Sequence, residues 1–221
     1  MCWLASPPMD ANTLINGLIS YLTLVILLTF HEFGHAWMAS KCGDDTARDQ
    51  GRVSLNPLLH VDPIGTVLMP LLMIFLPSGV GSFLLGWAKP VPVNPANLRN
   101  PKVDEILITA AGPWMNLLLA VVFVGLVKVG AMNNAIAFTD FCYTAAKLNM
   151  VLFFFNLLPI PPLDGSQIMR VLVGMSYETY AQFARFGFLI IILVINYTPV
   201  PSLLGTLIKT SMTIMSGWFG M

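Results

Sequence analysis

The sequence predicts an all-α polytopic membrane protein of a single domain, residues 1–221, with four to six transmembrane helices. The first observation is composition: 56% of the 221 residues are hydrophobic and 10% are charged, whereas soluble domains carry about 25% charged residues. The second is a series of long apolar runs separated by short loops rich in proline and glycine, which is typical of membrane-spanning helices. The formal net charge of zero gives no indication of nucleic-acid binding.

The first predicted span covers residues 14–38, an apolar run long enough to cross the hydrocarbon core at about 1.5 Å per residue. Lys41, Arg48 and Arg52 follow this run, and no basic residue precedes it. Because cytoplasmic loops carry an excess of Lys and Arg, we expect the C-terminal end of the span on the cytoplasmic side.

Residues 64–85 form a second apolar run, which prolines and glycines at positions 70, 77, 79 and 81 interrupt. Basic residues lie on both sides of it, so a simple span would place one basic loop outside. The run is therefore predicted to be a re-entrant or broken segment, which a membrane protein tolerates where protein covers it or a cavity borders it.

Residues 86–101, GWAKPVPVNPANLRNP, contain too many prolines for a helix and predict an extended loop on the cytoplasmic side. Such a segment is able to pair with an extended peptide by strand addition. The alternative is a plain connector that Trp87 and Lys89 anchor at the interface. The sequence does not distinguish the two.

Three later apolar runs also predict spans: residues 105–129, 140–158 and 180–197. Residues 203–219 predict either a last span or an interfacial helix, and residues 167–175 a short surface helix. Asn116, inside one of these runs, is expected to form an interhelical hydrogen bond without a catalytic part.

The strongest chemical signal is HEFGH at residues 31–35, toward the C-terminal end of the first span. His31 and His35 are four apart, so on a helix both rings lie on one face and are able to bind one metal ion. Glu32 then lies within reach of a water on that ion and can take its proton. A chance match is disfavoured, because three ionisable side chains in lipid are costly without a partner such as a divalent metal.

A catalytic zinc requires three protein ligands and an open position, and two candidates remain for the third ligand, Asp164 and His60. Asp164 follows a proline-rich helix end on the same predicted side of the membrane as the histidines, which favours it slightly, but it could instead cap the next helix. His60 lies in a polar loop, where a surface or hydrogen-bonded structural histidine is the commoner outcome. The residues alone leave both candidates open.

The chain resembles a known family at these motifs. HEFGH in a membrane helix, followed by NLLPIPPLDG at residues 156–165 at the end of a later one, is similar to the site-2 protease family of intramembrane zinc metalloproteases. Residues 52–66, 86–93 and 111–119 also resemble the small bacterial and archaeal members.

The resemblance implies a zinc metalloendopeptidase in the prokaryotic cell membrane, with its active site toward the cytoplasm. It implies one zinc ion per chain, held by His31, His35 and Asp164, with Glu32 as the general base. Asn156 matches an asparagine that helps to hold the substrate or polarise its carbonyl group, and His60 matches a histidine of the small-member motif. The implied partners are the lipid bilayer and a transmembrane protein substrate, cleaved in or near its transmembrane segment.

Two alternative functions use the same metal site: a non-proteolytic membrane scaffold and a metal transporter. A transporter is expected to space its polar groups through several helices at different depths. In this sequence they gather at one end of the predicted spans, which favours the protease.

Overall fold

The computed structural model describes residues 11–71 and 86–221, and every regular element within those two ranges is helical. In chain order the α-helices are α1 (Ala11–Cys42), α2 (Thr46–Asp49), α3 (Pro101–Met132), α4 (Ile136–Asn156), α5 (Asp164–Val173), α6 (Tyr177–Ala184), α7 (Gly187–Tyr197) and α8 (Val200–Trp218). The prediction of an all-helical protein is confirmed for this part of the chain.

Two of these helices are long and apolar enough to cross a membrane: Leu14–Cys42, within α1, and Pro101–Met132, which is α3. The pair α6 and α7 qualifies as a third span if its two helices, bent by 56°, count as one. Helix α4 has sufficient length at 21 residues, but polar side chains such as Lys147 and Asn149 interrupt its apolar sequence. The predicted count of four to six spans is therefore not confirmed.

Helix α3 lies at the centre of the fold and packs against α1, α4 and α5. Its Ala120 and Val124 form a buried cluster with Ala146 and Met150 of α4 and with methionines of α8. Alanine lets helix backbones approach closely, which compensates for the weak hydrophobic drive between helices in lipid.

Helices α1 and α3 approach each other closely where they cross, because each helix contributes a glycine to the crossing. A Cβ atom at Gly34 of α1 would lie 2.7 Å from the carbonyl oxygen of Ala111. A Cβ atom at Gly112 of α3 would lie 2.3 Å from Nε2 of His35. Both distances are far inside van der Waals contact, so the crossing requires glycine at both positions.

The loop before α3 has no regular secondary structure from residue 86 to residue 94, as expected from its prolines, and then forms a 3₁₀ turn at Pro95–Asn97. Hydrogen bonds attach this loop to the chain between residues 52 and 66. The amide of Lys89 donates to the carbonyl oxygen of His60 at 2.9 Å, and Nη2 of Arg52 donates to the carbonyl oxygen of Lys89 at 2.6 Å.

The carboxylate of Asp44, just after α1, holds the end of this loop. It accepts hydrogen bonds from Thr46, from the amide of Asn94 at 2.7 Å and from Nδ2 of Asn97 at 2.8 Å. The predicted re-entrant segment, residues 64–85, begins with a π-helical turn at Pro63–Leu68. Its residues 72–85 lie outside the described residues.

Candidate metal centre

Three predicted ligand side chains converge between α1 and the start of α5. Nε2 of His31 lies 3.0 Å from Nε2 of His35. Oδ2 of Asp164 lies 3.1 Å from the first nitrogen and 3.6 Å from the second. In the described ranges this is the one group of three or more His, Cys, Asp or Glu residues whose ligand atoms come this close together.

The other nitrogen of each ring faces an oxygen atom of α3. Nδ1 of His31 lies 2.6 Å from Oδ1 of Asn116, and Nδ1 of His35 lies 2.8 Å from the carbonyl oxygen of Ile108. Because these oxygens accept hydrogen bonds, each Nδ1 carries the proton and each Nε2 keeps its lone pair. Metal-binding histidines are oriented in this way in many proteins.

The donor set fits a divalent metal such as zinc. Two Nε2 lone pairs and a carboxylate oxygen point at one another, and Oδ2 of Asp164 is buried without a hydrogen bond of ordinary geometry. Tetrahedral zinc with bonds of about 2.0–2.1 Å separates its ligand atoms by about 3.3 Å, which matches the observed 3.0–3.6 Å. A cation among the three would satisfy atoms that otherwise repel each other.

Gly112 allows the α3 backbone to pass directly beside both ligand nitrogens. A Cβ atom at this position would lie 2.7 Å from Nε2 of His31 as well as 2.3 Å from Nε2 of His35. Ile108, Gly112 and Asn116 recur every four residues and therefore share one face of α3. That single face supplies one hydrogen-bond acceptor to each ring, and Gly112, between the two acceptors, leaves room for the rings.

Asp164 is brought to the rings by the turn that precedes α5. It is the first residue of the helix, whereas Leu163 occupies the N-cap position without a side-chain cap; the predicted alternative of a capping aspartate is therefore not adopted. A Cβ atom at the next residue, Gly165, would lie 2.2 Å from the carbonyl oxygen of Leu157. Asp164 thus supplies the candidate ligand atom, and Gly165 allows the close backbone contact that positions it.

An ion pair and ring contacts attach α5 to its neighbours. The guanidinium of Arg170 pairs with the carboxylate of Glu105 on α3 and lies 6.0 Å from the ring centroids of Tyr177 and Tyr180. The hydroxyl of Tyr180 is 3.0 Å from Oγ of Ser166. These contacts restrict movement of the helix that carries Asp164.

Glu32 is buried, with 8% of its surface exposed, and lines the same cavity of about 1120 Å³ as the three candidate ligands. Residues of the 86–93 loop form one wall of this cavity, and α6 and α7 form another. A cleft of this size is able to enclose several residues of a peptide. A carboxylate therefore lines the same large cavity as the candidate ligand atoms.

Asn156 also lines this cavity. Its Nδ2 donates to the carbonyl oxygen of Leu152, one turn earlier in α4, at 3.0 Å. An amide nitrogen carries two hydrogens, so this bond uses only one of them.

His60 lies apart from the candidate ligands and is not among the described residues that line the cavity. It is 2% exposed, and its Nε2 donates to the carbonyl oxygen of Ser54 at 2.8 Å. Its Nδ1 is buried without a hydrogen-bond partner among the described residues. Of the two candidates for a third ligand, the structure brings Asp164 to the rings and leaves His60 apart from them.

Sequence reasoning missed the connection between α3 and the ligand rings. Asn116 was expected to form an interhelical hydrogen bond, and it does, but one of its two partners is the candidate ligand His31. The four-residue spacing of Gly112 and Asn116 was the available signal. The carbonyl oxygen of Ile108 gives no signal in a sequence, because every residue carries one.

Comparison with known proteins identifies the family. The family model described as Peptidase family M50 matches residues 19–132 and 124–197. The Bacillus subtilis (strain 168) protein named "Putative zinc metalloprotease YwhC" is 42% identical over 198 residues, which cover 84% of each chain. The Mycolicibacterium smegmatis protein named "Putative zinc metalloprotease Rip2" is 29% identical over 203 residues, covering 88% of this chain and 73% of that protein.

A more distant relative is archaeal. "Zinc metalloprotease MJ0392" of Methanocaldococcus jannaschii is 25% identical over 166 residues, which cover 75% of this chain and 38% of that protein. No solved structure matches the chain significantly. With a family model that spans most of its length, a relative at 42% identity and apolar helices of membrane length, the chain belongs to peptidase family M50 and is a zinc metalloprotease of the membrane.

Proposed function

We propose that this protein is an intramembrane endopeptidase with one zinc ion per chain, which hydrolyses a peptide bond in or near a transmembrane segment of a membrane protein. The observation that carries the proposal is the meeting of His31, His35 and Asp164 at the wall of a large cavity that Glu32 also lines. His31 lies 11 residues before the end of the candidate span Leu14–Cys42, or about 16 Å along a helix. That distance supports a position of the ligands within the depth of the membrane.

The proposed roles follow from the chemistry of each side chain. His31, His35 and Asp164 hold the ion, which when bound lowers the pKa of water toward neutrality and polarises a carbonyl group. Glu32 accepts the proton of the attacking water and later donates it to the leaving amine. The second amide hydrogen of Asn156 is directed at the substrate carbonyl oxygen, whose negative charge grows during the attack.

The segment at residues 86–94 is the proposed binding surface for the substrate chain. One edge is already bonded to the loop at residues 60–66, and the segment lines the cavity. Within the described ranges the amides of Val91 and Val93 have no hydrogen-bond partner. An extended substrate could pair with them as an added strand.

The proposed setting is a prokaryotic cell membrane with the site toward the cytoplasm. Lys41, Arg48 and Arg52 follow α1, which supports a cytoplasmic position for that end of the helix. Four to six spans remain our proposal for the whole chain, counting α4 and α8 as crossings despite their polar residues.

The test is a proteoliposome assay with a helical transmembrane test substrate and purified wild type beside E32Q. We expect wild type to cleave the substrate, and E32Q to keep one zinc ion and lose cleavage by at least about 10³-fold, because the proton acceptor is removed. Cleavage by E32Q at the wild-type rate would remove Glu32 from its proposed role. Zinc uptake without cleavage would identify a transporter, and neither activity would identify a scaffold.

A further inference from the structure

A path of side-chain amides leads from His31 across α3 to α4. Oδ1 of Asn116 faces Nδ1 of His31 at 2.6 Å, and Nδ2 of Asn116 donates to Oδ1 of Asn149 at 3.1 Å. Nδ2 of Asn149 donates to the carbonyl oxygen of Ala145 at 3.0 Å. Both asparagines are completely buried. One hydrogen-bonded path therefore joins three helices and ends on a candidate ligand ring.

The far end of the path determines the direction of every bond in it. The carbonyl oxygen of Ala145 can only accept, so Asn149 must turn its NH₂ group toward it and its oxygen toward Asn116. Asn116 must then turn its own NH₂ group toward Asn149 and its oxygen toward His31. The ring nitrogen that faces this oxygen carries the proton, which leaves the lone pair on Nε2.

The position of the ring proton is fixed more firmly in His35 than in His31. His35 donates to the main-chain carbonyl of Ile108, which cannot be reversed without disrupting α3. His31 donates to a side-chain amide, which presents either oxygen or NH₂ after a simple rotation with almost no change of shape. The protonation of His31 thus depends on Asn116, and the orientation of Asn116 depends on Asn149.

We propose that Asn149 is a positioning residue that, through Asn116, keeps the proton of His31 on Nδ1 and so keeps Nε2 available to the metal. The inference rests on the proposed metal centre and extends it to a residue on a third helix. Its absence should weaken zinc binding even though Asn149 contributes no ligand atom.

The experiment measures zinc affinity of the purified full chain in detergent by competition with a chelator. N149L keeps the branched shape of the side chain and removes both hydrogen bonds, and we expect zinc to bind about 10–100-fold more weakly, as after other losses of an outer partner. N149D is the matched variant. A buried carboxyl group is expected to be neutral, so it donates to Ala145, accepts from Asn116 and retains the wild-type affinity.

The same pair of changes applies at the middle of the path. N116L removes the acceptor of His31 and should match the loss of N149L, whereas N116D retains an acceptor and most of the affinity. The double variant N116L/N149L should bind zinc no more weakly than N116L alone, because N116L by itself already interrupts the hydrogen-bonded path. N196L is the control, since Asn196 forms the same bond to the carbonyl oxygen four residues earlier, but on α7.

Each outcome decides a different question. A folded N149L that binds zinc as tightly as wild type overturns the inference and leaves the metal centre standing, whereas wild type that binds no zinc overturns the centre itself. Should N149L fail to fold, ¹⁵N-histidine NMR of zinc-free wild type with neutral rings decides, because no metal then fixes the ring protons and the chain has three histidines to assign. We expect protonated Nδ1 on His31 and His35 and protonated Nε2 on His60; an unprotonated Nδ1 on His31 overturns the proposal.

Discussion

Gly112 faces His35 so closely that the smallest side chain would reach its ligand nitrogen, at 2.3 Å from a Cβ atom. We expect G112A to displace one or both rings and to weaken zinc binding by at least about 10-fold, the scale of a disturbed outer contact. Chelator competition measures the affinity. G205A is the control, because nothing lies within 4 Å of a Cβ atom at Gly205. Equal affinity of G112A and wild type would contradict this account of the crossing.

His60 and Asp164 make opposite predictions for metal content. D164L is expected to lose zinc, because one of three ligands is gone. H60L is expected to keep one zinc per chain and to unfold more easily by about 0.5–1.5 kcal/mol, because the carbonyl oxygen of Ser54 loses its donor. Metal analysis and thermal unfolding measure the two effects. Loss of zinc from a folded H60L would return His60 to the ligand set.

A substitution at Val91 tests the proposed binding of substrate along residues 86–94. V91P removes one backbone donor at a position that has no regular secondary structure. Val91 precedes a proline, which favours extended backbone there, so the fold is expected to survive. We expect cleavage of the helical test substrate to fall about 10-fold, the cost of one lost hydrogen bond, with zinc affinity unchanged. V91A keeps the donor and should cleave normally. Unchanged cleavage by V91P would leave the segment as a plain connector.

Asp44, which lies outside the membrane-spanning segments, makes the stability of the fold depend on pH. Burial alone would raise the pKa of its carboxyl group, but hydrogen bonds from Thr46, Asn97 and Asn94 hold that pKa below its usual value. A lowered pKa in the folded state means that ionised Asp44 stabilises the fold above the unfolded pKa of about 3.9, and that this stabilisation is lost as the pH falls through and below that value.

The variant D44N should therefore unfold more easily than wild type near neutral pH, by about 1–3 kcal/mol, and the difference should shrink below pH 4. Thermal unfolding in detergent across that range measures it. D45N is the control, because the carboxylate of Asp45 is half exposed in its pair with Arg48 and exposed ion pairs contribute little. A constant difference between D44N and wild type at every pH would refute the assignment.

The sequence predicted the parts of the candidate site that depend on local spacing. The positions of His31 and His35 follow from the helical repeat alone. The choice between Asp164 and His60 did not, because it depends on which loop reaches the first helix, and polar loops with histidine or aspartate look alike in a sequence. The part played by Asn116 depends on the rotation of α3 against α1, which the contacts at Gly34 and Gly112 set.

The span count shows a different limit of sequence reasoning. Apolar runs identified α1 and α3 well, since both are continuous. Helix α4 combines an apolar face with Lys147 and the buried Asn149, so the residue that serves the metal path also lowers the hydropathy by which a span is recognised. The run at residues 180–197 was predicted as one helix, yet it bends by 56° between α6 and α7.

The two glycine contacts hold α1 rigidly against α3, while Asp164 arrives on a separate short helix after a proline-rich turn. An ion bound by all three side chains would thus cross-link the last third of the polypeptide to the first. Chelation should then let deuterium reach the amides of residues 157–175 well before those of the two long helices, which would make the metal a structural brace as well as a reagent.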